Sequence, residues 1–262
     1  MPFNKLTNRA AVAALLMIAW IVVMAKVPPK YPFPHSFHHD VASPILALEI
    51  SRNADDIEAV LHRHDSQAKE DAKDQAAKCE RISNYLDLVF IPLYAFFFWS
   101  LARVFTDRTR LLTVLIVGAA LFDYAEDWLI SLALDGENPA IYIPSLAKWG
   151  LLGLVLVGTG IILLRSRSPV YSLPTKRLLA IAYFIAGLLM ILSVALGSII
   201  GYSLIGLAIM LVALLVVIHL VGFLGHFLKI PGIMLTYVEN FCEERKKAGK
   251  ESLTAVKPGP AE

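Results

Sequence analysis

The chain has 262 residues, 57% of them hydrophobic and 18% charged, and a mean hydropathy of +0.62. That balance excludes an ordinary soluble domain, which is richer in charge and lacks repeated apolar runs of membrane length. The net charge of +2 decides nothing by itself, because orientation in a bilayer depends on where the basic residues fall.

Lys5 and Arg9 precede an apolar run over residues 10–25. Residues 1–27 therefore read either as a first transmembrane helix or as a short signal segment ending near Lys26, and in both cases the following segment is exported. Residues 28–83 form the sizeable polar stretch of the chain. Its start, VPPKYPFPHSFHHD over 27–40, is too proline-broken for a regular helix. His35, His38, His39, His62 and His64 fall in this stretch; His38-His39-Asp40 is a weak metal-binding pattern and fits a solvated loop better. SPILALEI over 43–50 suits a short extended or interfacial piece. Asn53 then reads as a helix cap, with Asp55, Asp56 and Glu58 in the first turn and Ile57, Val60 and Leu61 as an apolar stripe. Beyond Arg63 the charge is nearly all round, which predicts a solvated helix leading into the next span.

Residues 84–165 read as a three-helix core with spans over about 85–104, 111–134 and 146–164. Residues 166–228 follow as a loop and a hairpin of two spans; from Leu178 to Leu228 there is no Asp, Glu, Lys or Arg. The tail 229–262 is mixed in charge and reads as cytoplasmic and partly disordered. Basic residues cluster in 1–9, 103–110, 165–177 and just after 228, whereas 134–145 and 198–203 hold no Lys or Arg. The positive-inside rule then predicts an all-α polytopic helical membrane protein with six transmembrane helices and both termini in the cytoplasm. Cys79 and Cys242 fall on opposite sides in that topology and cannot pair within one chain.

Within the third span, LFDYAEDWLI over 121–130 places Asp123, Glu126 and Asp127 in an apolar run. Charges at such depth cost at least a few kcal/mol and are usually turned inward and partnered. At about 100° per residue the three acids share one arc of about 100°, while Leu121, Trp128 and Leu129 point away from its centre. Asp123 follows about 18 Å of apolar helix, in the outer half of the span. Asp87 and Tyr94 share a face of the second span, and Pro92 is expected to interrupt that helix and release carbonyls toward the same cavity. Lys148 is the sole Lys or Arg between Arg110 and Arg165. The expected site is therefore a pocket of Asp87, Tyr94, Asp123, Glu126, Asp127 and Lys148 opening outward.

Four acids and one lysine cannot all be ionised in a dry site, so water, a bound cation or a proton must balance them. This fits a binding site for a cation, a proton-coupled solute or a lipid head group. The alternatives are an interhelical network built around a Lys148–carboxylate pair, or a structural, partner-binding protein. An intramembrane, lipid-directed enzyme is a further alternative, which lacks histidine ligands at that depth and an evident nucleophile; Ser83 and Tyr94 are poor candidates. No Gly-rich phosphate loop, Cys-x-x-Cys, His-Glu-x-x-His or Gly-x-Ser-x-Gly occurs, so catalytic residues, cofactors and metals stay unassigned. The expected surroundings are the lipid bilayer and no nucleic acid, with no protein partner indicated.

Leu86-Asp87-Leu88-Val89-Phe90-Ile91-Pro92-Leu93-Tyr94, followed by Asp123-Tyr124-Ala125-Glu126-Asp127, resembles a family of small bacterial integral membrane proteins. That family carries a Leu-Asp-x-x-Phe-Ile-Pro-x-Tyr element, an Asp-x-x-Glu-Asn element and then a Trp and a Lys in the next span. ILALEISRNADDIEAVL is similar to its upstream Leu-Glu-Leu segment and helix, so the likeness covers roughly residues 45–165. It implies a bacterial inner-membrane location and carries over no established activity. Asp127 stands where the family has Asn, which adds a negative charge.

Three weaker signals complete the reading. His219 and His226, seven apart on one helix face, suit packing or an interface better than metal binding. Gly197 and Gly201 suit a tight connection between spans. Gly150, Gly153, Gly158 and Gly160 are expected to mark close packing of the fourth span against the second or third.

Overall fold

A computed structural model of the chain describes residues 3–28, 48–49, 51, 54–61, 70–137, 139–166, 170–196 and 199–227. Among them are seven helices and no strand: α1 (Phe3–Lys26), α2 (Ala54–Val60), α3 (Glu70–Phe105), α4 (Arg110–Leu134), α5 (Tyr142–Arg165), α6 (Leu173–Leu196) and α7 (Ile199–Phe227). Five of them, α1, α3, α5, α6 and α7, are long and apolar enough to cross a membrane. α4 matches them in length with 25 residues and differs in carrying the three acids.

The six long helices form a closed ring. α1 packs on α3, α3 on α4, α4 on α5, α5 on α6 and α6 on α7, and α7 returns to α1. Each apolar helix buries one face in the ring and leaves the other outside. On α4 the outer face runs Leu111, Val114, Val117, Leu121, Tyr124 and Trp128, all exposed, at the three-to-four-residue spacing of one helical stripe. In water an apolar belt of that size would be untenable for a monomer; in a bilayer it is the lipid-facing surface. The protein is accordingly an integral membrane protein with several spans.

Local chemistry explains the ends of α4. Its C-terminus closes in a Schellman motif. Gly136 takes φ +101°, its N–H donates to Ala133 O at 3.1 Å, and the Glu137 N–H donates to Leu132 O at 3.0 Å. That reversal sends the chain directly into α5, so Asp123, Glu126 and Asp127 face Lys148 across two adjacent antiparallel helices.

α2 follows the sequence closely: Ile57, Val60 and Leu61 are buried, and with Leu48 they pack on Ile130, Ala133, Leu134 and Ile141 at one end of α4 and α5. Three expectations need correction. α3 is a single helix of 36 residues that continues through Pro92, which is exposed and lies off the Asp87–Tyr94 face. The approach to that span is also less solvated than its charge suggests, because Cys79, Glu80 and Asn84 are buried. The α5 glycines divide between two neighbours. A Cβ on Gly153 or Gly160 would strike α6, at Gly187 O (2.9 Å) and Ala180 O (3.1 Å), one on Gly158 would strike Leu112 of α4, and Gly150 faces open space. The proline-broken segment, the histidines at 35, 38, 39, 62 and 64, Cys242, the connection at 197–198, the His226 side chain and the tail lie outside the described residues.

Candidate functional site

The inward arc of α4 has the orientation its periodicity demands. Asp123, Glu126 and Asp127 are 3%, 0% and 2% exposed, and Trp128 beside them is 67% exposed. Lys148, 3% exposed, enters from α5 and is the hub. Its Nζ lies 2.9 Å from Asp123 Oδ1 and 3.2 Å from Glu49 Oε2, and it also pairs with Glu126 Oε2. Tyr94 donates its hydroxyl to Asp123 Oδ2 at 2.8 Å. Five of the six residues expected at the site therefore share one compact region, with Asp127 next to Glu126 on the same helix.

Asp87 is only half-buried and has no ion pair among the described residues, but it is near enough to Asp123, Lys148 and Glu49 to feel their charges. It belongs to the rim. On the α3 side of Asp127, Asn84 Nδ2 donates to the Asp127 main-chain carbonyl (3.0 Å) and to Ser131 Oγ (2.9 Å).

The residue that the sequence reading left out is Glu49. Its Oε2 accepts from Trp149 Nε1 at 3.2 Å as well as meeting Lys148, so a carboxylate from before α2 enters the same site as those of α4. Burial pushes the Glu49 carboxyl above its ordinary range; Lys148 pulls it back and Asp123 raises it again. Glu49 is the sole acid in SPILALEI, and an isolated charge in an apolar stretch was the available signal. Trp149 also stacks its ring 4.8 Å from Lys148 Nζ, a cation–π contact that adds to the ammonium's hold.

Three carboxylates touch one ammonium, which leaves two negative charges uncompensated if all are ionised. Glu126 Oε1 and Asp127 Oδ2, both buried, have no hydrogen-bond partner among the described residues. Buried oxygens without donors are costly as anions and far cheaper once protonated. Among the described residues no group of three or more His, Cys, Asp or Glu is arranged as a metal-ligand set; the ammonium of Lys148 occupies the centre of the carboxylates itself.

A second buried polar group sits further along α3. His219 of α7 is fully buried among Phe97, Phe105, Tyr171, Tyr183 and Phe223, and its Nδ1 shares a 2.7 Å hydrogen bond with the Tyr171 hydroxyl. Gly222, one turn on, leaves the space Tyr171 needs, since a Cβ there would come within 2.7 Å of the hydroxyl. This aromatic box matches the packing role expected for His219. No protein family model, curated protein or solved structure matches this chain.

Proposed function

We propose that the protein crosses the membrane six times with both termini in the cytoplasm, and that the cluster around Lys148 is a proton-binding site in the outer half of the bilayer, through which it binds a proton or a proton-coupled solute. The observation that carries this reading is the mismatch of three carboxylates on one ammonium, together with the unpartnered Glu126 and Asp127 oxygens beside it. A dry site of this composition is balanced most simply by protons. The sixth span is α4, whose exposed face is an unbroken apolar stripe although its buried face is acidic. By its resemblance to small bacterial membrane proteins, we place the chain in a bacterial inner membrane.

The test is infrared spectroscopy of the purified protein across pH. The expected result is a protonated-carboxyl C=O band that titrates, and that is diminished in Glu126→Gln. Absence of any such band at every pH sinks the reading.

A second reading has its own support. Lys148 ties α4, α5 and the Glu49 segment together in one contact set, as a helix-packing network would. Thermal stability separates the two. Asp123→Asn and Glu126→Gln are clearly less stable than the wild type at all pH if the acids are structural glue. They are equally or more stable if the acids are kept for function at a cost.

A further inference from the structure

Between α3 and α4, the hydrogens of Asn84 and Ser131 are all committed, and none reaches the Asp127 carboxyl. Asn84 Nδ2 carries two hydrogens. One goes to the Asp127 main-chain carbonyl at 3.0 Å and the other to Ser131 Oγ at 2.9 Å. Ser131 Oγ donates its own hydrogen to the same carbonyl, at 3.0 Å. This closed triangle also fixes the amide. A carbonyl oxygen can only accept, so the Asn84 nitrogen faces it and Oδ1 is the atom left over.

Two acceptors are therefore without a donor: Asn84 Oδ1 and Asp127 Oδ2, both buried and both unpartnered among the described residues. They belong to residues already in contact through the Asp127 carbonyl. Leaving either one unmade is costly away from water. One added hydrogen satisfies both. A proton on Asp127 Oδ2 turns an acceptor into a donor, and Asn84 Oδ1 is an acceptor in want of one.

The charges nearby point the same way. Glu49, Asp123 and Glu126 each touch Lys148, and Asp123 also accepts from Tyr94. Asp127 has no ion pair among the described residues. The groups that act on it are Asp87 from α3, Asp123 and its neighbour Glu126 on α4, Glu49 from before α2, and Lys148 from α5. Only the last is a cation, and three other carboxylates already touch it. A proton is the counter-charge that Asp127 lacks.

We propose that Asp127 binds a second proton, separate from the one among the carboxylates on Lys148, and that Asn84 is its positioning residue, accepting that proton at Oδ1. This rests on the proton-binding reading above. The cluster then holds protons in two places, one against Lys148 between α4 and α5 and one in the α3–α4 seam. Asp87 is the rim carboxyl on the side of the second.

The experiment is infrared difference spectroscopy of the full chain in lipid between about pH 6 and about pH 10, where exposed carboxyls stay ionised and drop out. Two protonated-carboxyl C=O components are expected, one diminished in Glu126→Gln and the other lost in Asp127→Asn. The amide introduced in Asp127→Asn keeps a donor for Asn84 Oδ1, so the seam stays satisfied. Asn84→Leu removes the acceptor. The Asp127 component should then rise in frequency and lose its proton at a pH lower by about one unit, a hold about tenfold weaker. Ser131→Ala also cuts the triangle but leaves Oδ1 in place, so frequency and midpoint should stay as in the wild type.

A spectrum that Asp127→Asn leaves unchanged overturns the proposal. So does an Asp127 component that Asn84→Leu does not move, or that Asn84→Leu and Ser131→Ala move equally. If the component sensitive to Glu126→Gln persists in those cases, the proton-binding reading stands with one proton. An Asp127 component alone, with none diminished in Glu126→Gln, overturns the count of two. No component at any pH removes both the proposal and the reading beneath it.

Discussion

At the scale of single residues the energetics turn on Lys148. Its ammonium touches Glu49, Asp123 and Glu126, all of them buried, and balances one negative charge among them. Breaking a buried ion pair from one side costs more than the pair contributes, because the remaining charges lose their partner and cannot reach water. Lys148→Met should therefore destabilise the protein by about 3–5 kcal/mol. The damage should be partly reversed in Lys148→Met/Glu126→Gln, which removes one stranded carboxylate. Unfolding in detergent monitored by Trp fluorescence measures both. If the double variant is no more stable than the single one, Glu126 is not charged against Lys148 and the site's charge count must be redrawn. Tyr94 acts on the same balance more gently, through one hydroxyl on Asp123 Oδ2.

At the scale of elements, the pairing of α5 with α6 depends on backbone approach. Gly187 and Gly153 face each other so closely that a Cβ on Gly187 would lie 2.6 Å from Gly153 O and 2.8 Å from Val157 Cγ2. The backbone atoms in the way, Gly153 O and, at 3.1 Å, Val157 N, cannot yield cheaply. Gly187→Ala is expected to cost about 2 kcal/mol. Gly150→Ala, on open space, should be neutral or slightly stabilising through helix propensity. Equal losses in the two variants, read from the same unfolding curves, would remove the close-approach account.

The sequence marked these α5 glycines as a packing face and named the wrong partner for two of them. Periodicity tells which side of a helix is turned inward, and it tells nothing of which helix lies there. The same limit explains Glu49. The inward arc of α4, the Asp87–Tyr94 face and Lys148 were all legible from spacing within single helices. The carboxylate of Glu49 meets Lys148 across 99 positions of chain, and no local pattern encodes such a contact. Pro92 misled for a related reason: proline weakens a helix, but the neighbours packed on both sides of α3 keep it unbroken.

At the scale of the whole molecule, the ring resolves a conflict in α4. Its composition argues against a membrane span, since three acids in an apolar run are expensive in lipid. Its position argues for one. Flanked by α3 and α5, it turns every acid inward and leaves an apolar stripe from Leu111 to Trp128 exposed. Its 25 residues make a rod of about 37 Å, longer than the hydrocarbon core of about 30 Å. If α4 spans, Asp107 before it and Glu137 after it, both exposed, stand on opposite sides of the membrane. The distribution of Lys and Arg then places Glu137 outside and Asp107 in the cytoplasm. In intact cells, Glu137→Cys should react with an impermeant maleimide while Asp107→Cys should react only after the membrane is permeabilised. Labelling of both from the same side would make α4 a re-entrant or surface helix. The acid cluster would then lose the low-dielectric surroundings that make its excess of carboxylates costly, and with them the reason for a proton to be held there.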